Sequence, residues 1–337
     1  MKLKNEIIKE FKNKTILVTG GTGSIGLGIT KQLLKCNTKA IRILTNDENS
    51  IFEAKRNLGE NAKLTFMVGD VRDKDRLELA IRNVDIVFHA AAMKHIDICE
   101  ANPFDAVKTN VIGTSNILEA SLLENVSKFI LISTDKSTNP TTTLGASKLL
   151  AERLTLNANA YTGQGKTIFS VVRFGNVIGS RGSVFQIFLN QIRNNKPLTV
   201  TDRKMTRYIM SISDAAMMIL KVTKITKDGE IFILKMPSVK IEDLAKAMIQ
   251  VYKKEFQTKN FSKIKFSNSR EHERLDEFLI TEEERMFCHD IKDMYKISKN
   301  INKKILAFEK FNSKTAPSIT QIELKRILSE LIKYYLN

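Results

Sequence analysis

Apolar residues recur in the first half of the chain as short unbroken runs, each followed by a stretch with helical spacing. The runs are Thr15-Ile16-Leu17-Val18-Thr19, Ala40-Ile41-Arg42-Ile43-Leu44, Lys63 to Met67, Val84 to His89, and Lys128-Phe129-Ile130-Leu131-Ile132. Rich in β-branched residues and bounded by glycine or polar clusters, they predict strands buried on both faces. Between them, positions such as Ile29, Leu33 and Leu34 repeat with a helical period, and a long helix is predicted over about Pro103 to Glu124 with Asn110 on its early part. Strands alternating with helices predict an α/β fold, a doubly wound parallel Rossmann sheet.

The pattern continues less regularly. Residues 1–12 read as a helical lead-in, and Phe169 to Arg173 as a further strand. Beyond it come a strand at Ile231 to Leu234, a helix from Ile241 to Tyr252 and a strand around Lys263 to Ser267. Ser213 is expected to cap an apolar helix holding Ala215, Ala216, Met218 and Ile219. Pro317-Ser318 is expected to open a tail helix with Ile319, Ile322, Ile327, Leu328 and Leu331 on one face, docked on the protein's own core or on a partner subunit. With 337 residues the chain exceeds what one compact core holds. We expect a nucleotide-binding domain over 1–177 with 209–226 packing back on it, a smaller α/β lobe over 178–208 and 227–300, and a helical tail over 301–337.

The strand ends carry the candidate chemistry. After the first strand comes Gly20-Gly21-Thr22-Gly23-Ser24-Ile25-Gly26, leading into a helix. Glycines at Gly20, Gly23 and Gly26 permit the tight turn, bring backbone N–H groups to a pyrophosphate and let helix pack on strand, so the loop predicts dinucleotide binding. Asn46 and Asp47 follow the second strand, about 20 residues on, where an acid takes the adenosine ribose hydroxyls. Asp47 also suits a helix N-cap, and the sequence leaves NAD against NADP open. Asp70 and Val71 fall where an adenine edge is held, and Ala90, Ala91 and Ala92 leave room for a cofactor at the fourth strand's carboxyl end. At the end of the fifth strand, Thr134-Asp135-Lys136 sets an acid beside a base, and Lys148 stands on the helix that follows.

Composition narrows the picture. Hydrophobic residues make up 42% and charged residues 27%, the balance of a soluble globular protein. The net charge of +17 comes from lysines spread over the chain and interleaved with acids, with no nucleic-acid motif, so the basic surface suits anionic small substrates or an anionic membrane face equally well, and nucleic acid is not expected. No stretch approaches the roughly 20 apolar residues that span a bilayer, and the charged N-terminus has no signal-peptide core. Cys36, Cys99 and Cys288 are odd in number and far apart, which suits a reduced cytoplasmic protein. The histidines show no metal spacing, and no metal site is expected.

Taken together, TGGTGSIG, AAAMKH and STDK resemble the extended short-chain dehydrogenase/reductases. More narrowly, the chain resembles the UDP-N-acetylglucosamine 4,6-dehydratases of polysaccharide and modified-sugar biosynthesis, in a short form without the N-terminal spans of the long members. The likeness runs through RFGNVIGSRGSVFQIFLNQI, KMTRYIMSISDA and GEIFILKMPSVKIEDLA and fades after REHERLDEFLITEEE. It implies a tightly bound, recycled NAD(P) and a reaction in three parts: oxidation of the sugar at C4, loss of water across C5–C6, and reduction at C6. By resemblance Asp135 is the acid, Lys136 the base, Thr134 the partner of the C4 oxygen, Lys148 the holder of the nicotinamide ribose, and Asn110 a further cofactor residue. Substrate contacts are implied at Lys94, His95, Asn176, Ser180, Arg181, Gly182, Ser183, Arg207 and Glu273, with Arg207 on the diphosphate and Glu273 on the nucleoside ribose.

Two positions depart from the family. Tyr-x-x-x-Lys becomes Leu144 and Lys148, so the proton acceptor for the C4 hydroxyl is missing and its work falls to Thr134 with a water, to Asp135 or to Lys148. Arg-x-Gly-Glu-Lys becomes Arg270-Glu271-His272-Glu273-Arg274, which weakens the case for UDP as the nucleotide. A nucleotide-sugar epimerase and a silent cofactor-binding protein are the rival readings. The resemblance also implies a homo-oligomer, paired through the helices over 104–124 and 145–160.

Overall fold

The computed structural model describes residues 5–161, 167–227, 229–257, 263–267, 273–302 and 304–336. The chain forms two compact units, one of residues 1–174, 213–235 and 281–305 and the other of 175–212, 236–280 and 306–337.

The first unit follows the alternation seen in the sequence. A lead-in helix α1 (Asn5–Phe11) precedes β1 (Thr15–Thr19), α2 (Ser24–Leu33), β2 (Ala40–Thr45), α3 (Glu48–Leu58), β3 (Leu64–Val68), α4 (Lys74–Ile81) and β4 (Ile86–His89). After β4 a short helix α5 (Ile96–Ala101) precedes the expected long helix, which runs from Pro103 to Leu123 as α6 (Pro103–Val107), a π-helical turn (Lys108–Ile112) and α7 (Gly113–Leu123). Then come β5 (Lys128–Ile132), a single 3₁₀ turn over Asp135–Ser137, α8 (Thr143–Ala158) and β6 (Ile168–Arg173).

The chain next enters the second unit through β7 (Asn176–Val177), α9 (Val184–Arg193), β8 (Leu198–Val200) and β9 (Thr206–Met210). It supplies α10 (Ile212–Ile225) and β10 (Ile231–Leu234) to the first unit, then β11 (Ser238–Lys240), α11 (Ile241–Phe256) and β12 (Ile264–Phe266) to the second. The hairpin β13 (Cys288–Ile291) and β14 (Met294–Ile297) belongs to the first unit, and α12 (Gln321–Leu336) to the second.

The first unit is built on a nine-stranded sheet in the order β13-β14-β10-β6-β5-β4-β1-β2-β3. It is parallel from β3 to β10, and the β13–β14 hairpin is antiparallel at one edge. The central strands β1, β4 and β5 are almost wholly buried, as helices on both faces require. Strand order reverses between β1 and β4, and the carboxyl ends of those strands are where such sheets bind ligands.

The second unit has a three-stranded sheet, β11-β9-β7, and a two-stranded one, β12-β8. Its core gathers Phe185, Phe188, Met205, Leu244 and Met248 with Leu324, Leu328 and Ile332 of α12. The tail helix therefore docks on the unit's own core. It starts at Gln321 rather than at Pro317, because Ser238 N bonds Pro317 O, Ile319 N bonds Ser238 O and Ser318 bridges Ser238, holding the approach extended. Ser213 lies inside α10, where its Oγ accepts from Gln32 Nε2, instead of capping it.

Candidate active site

The glycine loop between β1 and α2 is shaped by contacts that exclude side chains. Gly20 has φ +60°, and a Cβ there would lie 2.7 Å from the Ala91 Cα, so the loop packs against the alanine run that ends β4. Gly23 occupies the N-cap of α2 and provides no side-chain cap. A helix start of this kind, at the switch point of the sheet, fits a pyrophosphate. Thr22 is buried, and its hydroxyl sits between Thr45 and Ser50, tying the loop to the end of β2. Ser24 and Ile25 form the first turn of α2, and Gly26 approaches the Gly20 carbonyl too closely for any Cβ.

At the end of β2, Asp47 caps α3 by accepting from Asn49 N and Ser50 N through Oδ1. Asp70 after β3 receives Arg72 on both oxygens and Asn46 on one, and the Arg72 hydrogen bond is the main cause that holds its carboxyl below the usual range. Val71 is buried, and its carbonyl accepts from Asn116. The pair Asn46–Asp70 is thus one hydrogen-bonded group across two strand ends.

Asn110 stands in the π-helical turn, which turns its side chain inward. Its Oδ1 accepts from Met93 N at 2.8 Å, and its Nδ2 donates to Met93 O and to Ser147 Oγ. The residue fixes the loop Ala90-Ala91-Ala92-Met93 against α8. Lys94 and His95 lie on this loop, with His95 at the N-cap of α5 and pulled down from its ordinary pKa by partial burial and then by Lys94. Beneath the loop His89 is fully buried between the hydroxyls of Thr19 and Thr114. Burial pushes it down to about 3, helped by the charge of Lys148, so it is neutral at ordinary pH.

The triplet forms a 3₁₀ turn directly after β5. Asp135 Oδ1 accepts from Thr134 Oγ1 at 2.8 Å and pairs with Lys136 Nζ at 3.1 Å. The Asp135 side chain is 1% exposed and that of Lys136 28%, so the acid lies inside and the amine reaches toward the surface. The turn is held on its backbone as well. Asp135 N donates to Phe174 O at 3.1 Å, and a Cβ on Gly145 in the first turn of α8 would overlap the Lys136 carbonyl. α8 itself starts where the Glu100 carboxylate takes both Thr143 N and Thr143 Oγ1.

Lys148 and Leu144 share α8. Lys148 Nζ is buried and donates to Ile132 O at 2.7 Å. Burial brings its pKa down to about 8, opposed by the Glu152 carboxylate. Leu144 is buried in a small apolar cluster with Cys99 and Ala106, against Met93 and Ile96. The position that holds tyrosine in the family is therefore part of a packed apolar seam under α5 and α6.

A group that the sequence reading passed over lies below the triplet. Glu152 Oε1 accepts from Ser133 Oγ at 2.6 Å and from Ser137 Oγ at 2.7 Å. Arg173, wholly buried at the end of β6, clasps Glu152 and Glu284 with paired hydrogen bonds. Burial opposes the Arg173 charge, but the two carboxylates outweigh it and raise its pKa. Burial likewise works to raise Glu284, and Arg173 reverses this, leaving it below the usual range. The signal was present: an arginine closing an apolar strand, and Lys148 and Glu152 one helical turn apart.

In the second unit, Asn176 lies in β7, and Ser180, Arg181, Gly182 and Ser183 form the loop before α9. Gly182 N donates to Gln186 Oε1, and Tyr335 of α12 donates to Gly179 O at 2.6 Å. Arg207 donates to the carbonyls of Thr206, Arg274 and Leu275 and pairs with Glu277 at 3.3 Å. It holds down the segment that contains Glu273. Of the run Arg270-Glu271-His272-Glu273-Arg274, the first three lie outside the described residues.

Among the described residues no cluster of His, Cys, Asp or Glu could hold a metal ion, and no helix is long and apolar enough to cross a membrane. All three cysteines are buried free thiols, raised in pKa first by burial.

Comparison with known proteins agrees with this fold. The profile of a family described as polysaccharide biosynthesis protein matches residues 16–299. A Methanocaldococcus jannaschii protein described as an uncharacterized membrane protein is 50% identical over 97% of this chain and 98% of its own length. A Rickettsia bellii protein named UDP-glucose 4-epimerase is 37% identical over 95% of this chain and 97% of its own. The X-ray structure of Pen from Bacillus thuringiensis superposes with a TM-score of 0.89 at 38% identity, covering 95% of this chain and 98% of that one.

Proposed function

The chain belongs to the polysaccharide biosynthesis protein family, a group of nucleotide-sugar short-chain dehydrogenase/reductases, and from that premise we propose that it is a 4,6-dehydratase of UDP-N-acetylglucosamine or a close UDP-N-acetylhexosamine. The observation that carries this reading is the Asp135–Lys136 contact on a buried strand end, with Thr134 on the same carboxylate oxygen. Epimerisation at C4 needs no such acid–base pair.

The glycine loop, Asn46, Asp47, Asp70, Val71, Ala90 to Ala92 and Lys148 would hold NAD(P). When bound, the nicotinamide supplies oxidation at C4 and the matching reduction at C6. Oxidation at C4 makes the C5 proton acidic. A single proton shared between Asp135 and Lys136 gives either an ion pair or, after transfer across their contact, a neutral amine beside a carboxylic acid. The second form is the one elimination needs: Lys136 takes the C5 proton and Asp135 gives its own to the departing C6 hydroxyl, which leaves as water. Lys136 then returns its proton to C5 as C6 is reduced. Leu144 carries no proton, so Lys148, whose amine burial brings close to neutrality, takes the C4 proton and gives one back to Asp135 once water has left, which restores both groups. Lys94, His95, Asn176, Ser180 to Ser183, Arg207 and Glu273 are proposed as the sugar-nucleotide contacts. Exposed apolar side chains on α6, α7 and α8, among them Phe104, Leu123 and Leu150, support self-association through those helices.

Because relatives of this chain are named UDP-glucose 4-epimerase, the epimerase is the second reading. Purified protein given UDP-N-acetylglucosamine is expected to release a 4-keto-6-deoxy sugar lighter by one water. A C4 epimer of unchanged mass would replace the proposal with the rival. Lys136→Ala is expected to abolish loss of water, and Leu144→Tyr, forced into the packed seam with Cys99 and Ala106, to cost stability.

A further inference from the structure

The triplet is one short turn, and a turn of that length does not hold side chains to the fraction of an ångström that proton transfer requires. Something outside it must fix its geometry. Ser133 precedes the triplet and Ser137 follows it, and both hydroxyls donate to the same atom, Glu152 Oε1. Ser137 Oγ also lies 2.7 Å from the Thr134 carbonyl, so its one proton is shared between closing the turn and tying it to Glu152. Glu152 cannot swing away, because Arg173 holds both of its oxygens and is in turn held by Glu284. The end of β6 and the residue after it both contribute, with the Arg173 side chain below and the Phe174 carbonyl on Asp135 N.

We propose that Glu152 is the positioning carboxylate of the reaction, anchoring both ends of the Thr134–Asp135–Lys136 turn through Ser133 and Ser137, with Arg173 and Glu284 as its buried mount. The inference rests on the dehydratase reading for its kinetic consequence but not for its structural one. Glu152 also faces Lys148 from the next turn of α8, while His89 faces Lys148 from β4 and is neutral. Its charge therefore serves the second proton-carrying group as well as the first.

Glu152→Gln leaves Arg173 to Glu284 alone and disturbs the whole buried group, so the decisive variants are Ser137→Ala and Ser133→Ala/Ser137→Ala, which leave the Glu152–Arg173–Glu284 group whole. In the double variant kcat is expected to fall about tenfold or more, the loss that a displaced reacting group brings, with KM and bound nicotinamide unchanged. Ser137→Thr, which restores the hydroxyl, is expected to recover most of it. Amide hydrogen exchange of the segment 133–138 is expected to quicken in the double variant while that of β1 and β4 stays the same. Unchanged kcat with unchanged exchange overturns the proposal. Should the wild-type protein convert no nucleotide sugar, the functional reading fails and the exchange experiment alone decides the anchoring: quicker exchange upholds it, unchanged exchange ends it.

Discussion

Two arginines, one in each unit, show how differently the same side chain is used. Arg173 closes an apolar strand, is wholly buried and grips two carboxylates. Arg207 lies in the central strand of a small sheet, keeps 11% of its side chain exposed and grips three backbone carbonyls and one carboxylate. The family pattern pointed to Arg207 as a ligand contact and was silent about Arg173. In the structure Arg207 is first a strut for residues 274–277, and Arg173 is the mount of Glu152 beneath the turn that holds Thr134, Asp135 and Lys136. A guanidinium offers five donors in a fixed fork, so where it goes depends on which acceptors the fold brings to it.

The largest expected effect breaks the first half of that contrast. Arg173→Met leaves Glu152 and Glu284 buried without their cation and should cost about 3–5 kcal/mol of stability, read from urea unfolding. Replacing all three together, as Glu152→Leu/Arg173→Met/Glu284→Leu, should recover most of that stability, since an apolar trio needs no charge compensation. Turnover should stay low, because Ser133 and Ser137 lose their anchor. Recovery of turnover along with stability would reduce the trio to a structural element.

Next in size is a pH effect on the same region. Lys148 has a folded pKa of about 8 against an ordinary value of 10.5. Between those values the unfolded chain binds the proton and the native one does not, so this group makes stability rise with pH across that window, by roughly 3 kcal/mol in total. Lys148→Met should remove the rise. Equal slopes in wild type and variant would mean that Lys148 keeps its proton in the fold.

Gly145→Ala tests the contact above the triplet. The added methyl meets the Lys136 carbonyl, and the clash should cost about 1–3 kcal/mol and lower kcat as the turn shifts. Arg207→Met is expected to be milder for the fold than Arg173→Met, about 1–3 kcal/mol, because it takes the cation from one buried carboxylate, Glu277, instead of two, and the released carbonyls are partly reached by water. It should raise KM for the sugar nucleotide while leaving kcat near wild type. An unchanged KM with the stability loss would leave Arg207 a strut and nothing more, sharpening the contrast with Arg173.

Much of the first unit was legible because a buried parallel strand must be apolar throughout, and the runs at 15–19, 128–132 and 231–234 coincide with β1, β5 and β10. The π-helical turn inside the long helix from Pro103 was not legible. It arises where Asn110 turns inward to bond Met93 and Ser147, partners 17 and 37 residues away. Leu144 read as a vacancy in a motif, and the structure gives it a place among Cys99 and Ala106.

The sequence by itself determined the alternating sheet, the glycine loop and the acid beside the base, because period, turn chemistry and adjacency are local properties. Only the tertiary structure decided what stands beneath that pair. Ser133, Ser137, Glu152, Arg173 and Glu284 come from five places along the chain, and each is unremarkable alone. Burying a charge is unfavourable until its partners arrive, so such a group exists only once β5, α8, β6 and the segment from 281 have packed together.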